Sequence, residues 1–293
     1  MKKYKYSDLL LDERGIKDLY SKFGINYIDS NRISEYFKYL RKIESLRKSD
    51  KSRLRELINN EKAKYYFSQF YVLETCNIIN AVKSANVNKD ILKEKLTNLV
   101  KGTYLLSEEN INNTQARNTT FELSLFSFLN TRKLEVKLCS PNPDLQLFTD
   151  NFTYNIECKR PSSIKSLEKN IRKALKQLRK TKKGNIIPTM ALSLEQAILG
   201  DDLILNTKDD KTALLYLNEM MSRFNKDHQY LINKICNDEP CLILYYLSCL
   251  TGFMTDLPMA NTTYIIGNVY NFEPKLSHKI YCDLNTILPQ NEN

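Results

Sequence analysis

Two histidines, His228 and His278, and no Cys-x-x-Cys pair argue against a structural zinc site, which needs clustered nitrogen and thiolate ligands. The seven cysteines have no paired spacing and suit reduced thiols in a cytosolic protein. There is no phosphate-binding P-loop, so neither a nucleotide cofactor nor self-powered translocation is expected. No run reaches the roughly 18–20 apolar residues of a membrane span. The longest candidate, Cys241 to Met254, is broken by Ser248, Thr251 and Gly252 and reads as buried core. The opening Met-Lys-Lys-Tyr-Lys-Tyr has charge but no apolar segment behind it, so no signal peptide is expected and a cytoplasmic location is. Internal repeats and low-complexity tracts are also missing.

A hydrophobic content of 42% over 293 residues is enough for a packed core. The formal net charge of +10 is unevenly spread. Residues 1–105 carry 22 basic and 13 acidic side chains, and residues 164–183 carry nine and one. Residues 106–163 are nearly balanced, at six and seven, and the remainder is acidic, at seven and 13. Two basic blocks of this kind suit a polyanionic partner, although a lysine-rich genome also yields basic proteins without one.

Apolar residues recur at three- and four-residue steps through Leu40, Ile43 and Leu46, and through Phe67, Phe70, Leu73 and Cys76, which predicts a helical N-terminal region. The polar stretch Ser107–Asn118 is the best linker, dividing the chain into 1–106 and 107–293. Beyond it the pattern predicts a helix over Thr119–Leu129, then strands over Leu134–Leu138, Leu145–Phe148 and Tyr154–Lys159. A helix over Ile164–Thr181 and a strand over Ile186–Leu194 follow. Pro161-Ser162-Ser163 ends the third strand and can cap the helix, and Gly184 closes it. A further helix is predicted from about Lys211 to Ile235, with strand candidates at Cys241–Leu247 and Thr263–Val269.

Asp150-Asn151 reads as a two-residue turn whose residues tolerate positive φ. Paired positions then sum to 301. Leu147 faces Tyr154 and Leu145 faces Ile156 on an apolar side, while Gln146 faces Asn155 and Asp144 faces Glu157 on a polar side. Directly opposed residues have Cβ atoms about 4.5–5.5 Å apart, so two carboxylates meet. Strand periodicity returns Lys159 to the same face. Carboxylates that close repel unless a cation lies between them, and hard oxygen ligands suit Mg²⁺ or Mn²⁺.

Pro143-Asp144 followed by Glu157-Cys158-Lys159, within the order helix, three strands, helix, strand, resembles the PD-(D/E)XK nucleases, the restriction-endonuclease-like superfamily. The resemblance covers roughly residues 115–195. It implies an α/β restriction-endonuclease-like core after a helical N-terminal region, and metal-dependent hydrolysis of phosphodiester bonds. By that resemblance Asp144 and Glu157 are metal ligands, Cys158 adds its main-chain carbonyl, and Lys159 is the catalytic lysine. Glu122 matches the acidic residue such enzymes often carry on the preceding helix, and Gln177 is a weaker match to a glutamine on the following one. Thr119-x-x-Glu122 is equally a capping-box pattern. DNA is favoured over RNA by the habits of the family, in a setting of restriction, phage defence or a mobile element.

The helix after the motif carries Lys165, Lys169, Arg172, Lys173, Lys176, Arg179 and Lys180 opposite its apolar stripe, with Glu168 its only acid. Solvated helix faces usually mix signs, so the first six basic residues are the expected nucleic-acid contacts. The N-terminal helices could recognise nucleic acid, form a homodimer or bind another protein. The rival expectation is a catalytically inactive nuclease fold that binds nucleic acid or a protein partner.

Overall fold

The computed structural model describes residues 5–28, 30–110, 113–181, 184–200, 204–207, 209–252 and 260–288. Five helices come first: α1 (Tyr6–Lys22), α2 (Arg32–Ser49), α3 (Lys51–Asn60), α4 (Lys62–Ser84) and α5 (Lys89–Leu99). Short polar side chains start three of them by accepting amide hydrogens that the helix leaves free. Asn31 caps α2, Asp50 caps α3 and Asn88 caps α5. Next come α6 (Gln115–Thr131), β1 (Glu135–Leu138), β2 (Leu145–Phe148), β3 (Thr153–Lys159), α7 (Leu167–Arg179) and β4 (Ile186–Ser193). The chain continues with α8 (Glu195–Ile198), β5 (Ile204–Asn206), α9 (Asp210–Cys236), β6 (Cys241–Gly252), β7 (Ala260–Tyr270) and α10 (Pro274–Ile287). The protein is therefore mixed α/β, and helix, three strands, helix, strand is the order found from α6 to β4.

The described strands form one seven-stranded sheet. β1, β2 and β3 run as an antiparallel meander; β3, β4 and β6 are mutually parallel neighbours. β6 also pairs in parallel with β5 and antiparallel with β7. The continuous apolar run that opens β6 follows from cover on both faces. Leu242, Leu244 and Tyr246 enter one core with α4, α6 and α10, whereas Ile243, Tyr245 and Leu247 enter a second with α7 and α9. The first core runs from Tyr6 to Ile287, so the N-terminal helices share their buried surface with the sheet. Gly267 allows α10 to approach β7, because a Cβ there would lie 2.9 Å from Leu284 Cδ1.

The β2–β3 register matches the expected pairing: Leu145 with Ile156, Gln146 with Asn155 and Leu147 with Tyr154. Thr149 and Phe152 close a two-residue turn at Asp150-Asn151 through a 3.0 Å backbone bond. Neither turn residue has positive φ, so the expected mirror-type turn is not formed. A tether replaces it. Asp283 of α10, only 6% exposed, accepts from Thr149 Oγ1 (2.6 Å), Asn151 Nδ2 (2.6 Å) and the Tyr154 hydroxyl (2.8 Å). Asp283→Ala would leave three donors without their charged acceptor. An expected loss of about 3 kcal/mol in urea unfolding follows, and Asp283→Asn should restore part of it.

The helix carrying Glu122 starts at Gln115, with Thr114 rather than Thr119 at its N-cap. Thr119 is a buried interior residue, so the capping-box alternative for Glu122 is excluded. A 3-10 turn, Ile164–Ser166, precedes α7, with Ser163 as its cap. Leu167, Ile171, Leu175 and Leu178 of α7 are buried. Burying each is worth about 1.5–3 kcal/mol, against roughly 0.2–0.5 kcal/mol for a surface helix pair. Packing alone therefore seats α7, and its charged face is free for another use.

Candidate active site

The paired register ends at Leu145 with Ile156, so Asp144 is not paired opposite Glu157 as expected. It stands just before β2, and its amide donates to the Ile156 carbonyl (3.0 Å), one residue short of that pairing. Its carboxylate is held by a second bond, from the Cys158 amide to Oδ2 at 2.8 Å. Glu157 lies in the centre of the sheet, 1% exposed. Gln177 reaches it from α7, with Nε2 3.0 Å from Glu157 Oε1. Asn142 completes the clamp, its Oδ1 accepting from the same Gln177 Nε2 at 2.8 Å. Glu157 Oε2 is buried without a hydrogen-bond partner. Lys159 extends along the same face, its ammonium 3.0 Å from the Cys158 carbonyl and 3.9 Å from Glu157 Oε1.

Glu122 approaches from α6. Its Oε2 forms a 2.5 Å ion pair with Lys95 of α5, and both side chains are nearly buried. Desolvation, then the charge of Asp144, raises the Glu122 carboxyl to about 7, against the opposing pull of Lys95 and Lys159. Glu157 is raised to about 7 by the same two causes in the same order, with Lys159 lowering it. Three carboxylates and two ammonium groups thus share one electrostatic neighbourhood. Burial raises the Cys158 thiol as well, which suits a packed rather than a reactive side chain.

The structure brings Asp144, Glu157, Cys158, Lys159, Glu122 and Gln177 together. Lys95 and Asn142 are additions that sequence reasoning missed. They meet Glu122 and Gln177 across 27 and 35 positions, and no local pattern marks them. Among the described residues, no group of three or more His, Cys, Asp or Glu side chains is arranged to hold a metal ion. The hard oxygens on offer are Asp144, the unpartnered Oε2 of Glu157 and the Cys158 carbonyl, which suits a hydrated Mg²⁺ or Mn²⁺ better than a soft metal.

Lys165, Lys169, Arg172, Lys173, Lys176 and Arg179 are all exposed on or just before α7. Two of them are neutralised: Arg172 bonds Glu168 at 2.8 Å, and Arg179 pairs with Glu239 of the α9–β6 connection. The four lysines make no ion pair among the described residues and form the uncompensated part of this face. No helix among the described residues is long and apolar enough to cross a membrane. Comparison with family models, curated proteins and solved structures finds no match to this chain.

Proposed function

We propose that this chain is a metal-dependent nuclease with a restriction-endonuclease-like core, acting on DNA. The reading is carried by one observation: Glu157 Oε2 is buried and unpartnered, with Lys159 3.9 Å from the other oxygen and the Asp144 carboxylate fixed on the neighbouring Cys158 amide. Asp144, Glu157 and the Cys158 carbonyl would hold the ion. A divalent cation so held supplies Lewis acidity to a phosphoryl oxygen and lowers the pKa of bound water.

The remaining work belongs to the side chains. Gln177, held in turn by Asn142, fixes one oxygen of Glu157, which aims the other. The Cys158 amide fixes Asp144 in the same way. Lys159 leaves the Cys158 carbonyl to position the attacking water and to balance charge at phosphorus. Lys95 opposes the desolvation and the Asp144 charge that raise the Glu122 carboxyl to about 7, and holds that carboxyl beside Asp144. DNA as substrate, and a role in restriction, phage defence or a mobile element, rest on the motif resemblance alone.

A second reading is an inactive nuclease fold that only binds nucleic acid or a partner protein; among the described residues no three His, Cys, Asp or Glu side chains are grouped to hold a metal ion. Calorimetric titration with Mn²⁺ separates the two. The nuclease reading requires binding that Asp144→Asn and Glu157→Gln each weaken at least tenfold. Equal Mn²⁺ binding by wild type and both variants would remove the active-site assignment.

The lysine face of α7 should track the phosphate backbone. Reversing Lys169, Lys173 and Lys176 to Glu is expected to weaken DNA binding and flatten its dependence on salt, because fewer counterions are released. Mn²⁺ binding should be unchanged. Affinity that stays constant at low salt would make α7 an ordinary solvated face.

A further inference from the structure

A cavity of about 570 Å³ opens between α4, α6 and the β6–β7 ladder. It is separate from the acidic cluster. At 3.6 residues per turn, Ser124 and Ser127 project from the side of α6 opposite Glu122. The size falls within the range of small-molecule pockets, about 300–1,000 Å³.

Its chemistry is unlike the rest of this basic chain. Among the described residues, no lysine, arginine or histidine lines it. The wall is built of hydroxyls and amides, among them Asn80, Ser127 and Thr263, with Phe128 and Tyr246 adding flat apolar surface. One acceptor is left over. Glu74 commits one oxygen to the Ser124 hydroxyl at 2.6 Å, and its other oxygen has no donor among the described residues. A ligand bringing N–H or O–H groups would pair with that oxygen. A phosphate or carboxylate would find no countercharge here and would meet Glu74.

We propose that this cavity binds an uncharged, donor-rich small molecule of nucleoside size, held by Glu74 against Phe128 and Tyr246. Nucleosides and simple sugars share that chemistry. The inference does not depend on the nuclease reading, since it concerns a different face of α6.

The test uses the full chain in EDTA without nucleic acid. Thermal shift and calorimetry would be run with adenosine, cytidine, thymidine and glucose, and with the three nucleoside 5′-monophosphates. At least one neutral probe is expected to bind one-to-one and raise the melting temperature. Where the binder is a nucleoside, its monophosphate should bind at least tenfold more weakly. Binding by glucose alone would assign the site to sugars. Glu74→Gln, which keeps an acceptor for Ser124, should weaken the neutral binder about tenfold. Asn80→Arg, at an exposed position of the rim, should preserve the fold and let monophosphates bind as well as nucleosides. The proposal is overturned if no probe binds at millimolar concentration, or if monophosphates match nucleosides in the unmodified protein. It is equally overturned if neither substitution changes binding.

Discussion

Lys159→Ala is expected to lower the single-turnover cleavage rate by about a thousandfold while leaving the fold and Mn²⁺ binding in place. Removing one electrostatic stabiliser of a developing charge commonly costs 10²–10³ in rate, roughly 2.7–4 kcal/mol of barrier. Lys159 stands at the upper end, because its ammonium lies 3.0 Å from the Cys158 carbonyl and 3.9 Å from Glu157 Oε1. The side chain is only 11% exposed, so Lys159→Met, which keeps most of its aliphatic volume, should show the same loss of rate. Asp144→Asn and Glu157→Gln should abolish cleavage to a similar degree and should also lose the metal. That division, rate alone for Lys159 and rate with metal for the carboxylates, distinguishes the assigned roles from simple damage. Lys159→Ala cleaving at the wild-type rate would remove lysine from the mechanism.

The largest effect on stability is expected at Lys95. Removing one partner of a buried ion pair typically costs 3–5 kcal/mol, because the survivor stays buried without its countercharge. Lys95→Met should therefore unfold at a clearly lower urea concentration, by about 3 kcal/mol. Glu122→Gln should also destabilise, since it strands Lys95. The double variant should cost less than the two single changes together. The pH dependence has a definite sign. The Glu122 carboxyl is raised to about 7, by desolvation and by Asp144. A raised carboxyl favours the folded state while protonated and loses that contribution as pH climbs through about 7. Without Lys95 the ionised form is worse placed still. The Lys95→Met deficit should accordingly be larger at pH 8 than at pH 6, measured in EDTA. A deficit that is flat across this range would mean that Glu122 does not titrate in the site.

The hairpin was legible in the sequence because two strands alternate in step and a polar turn fixes the sum of paired positions. A slip of one residue would have buried Gln146 and Asn155 in the wrong core. The long strands β6 and β7 were seen only in part, as Cys241–Leu247 and Thr263–Val269. Polar Ser248 and Thr251 interrupt the first pattern, yet Ser248 and Thr251 are buried and bond to Thr263 and Thr262 across the ladder. Glu122 was ambiguous for a related reason. Thr119 and Glu122 have capping-box spacing, but Gln115–Asn118 already belong to the helix, and only the packing of Ala116 and Arg117 shows it. Gln177 looked like the flank of an apolar stripe until the sheet placed Glu157 beneath it. Lys95 and Asn142 carried no signal at all, since a long-range ion pair and a loop amide have no periodicity. The tether at Asp283 was invisible too, because it joins residues more than 120 positions apart.

The most direct measurement is cleavage itself. Purified protein would be incubated with supercoiled plasmid, single-stranded DNA and RNA, each with Mg²⁺, Mn²⁺ or EDTA, alongside Glu157→Gln. A nuclease centred on Asp144, Glu157 and Lys159 should nick or cut DNA with either metal, and neither EDTA samples nor the Glu157→Gln variant should do so. Cleavage that persists in EDTA or in the variant, or intact substrates under every condition, would contradict it.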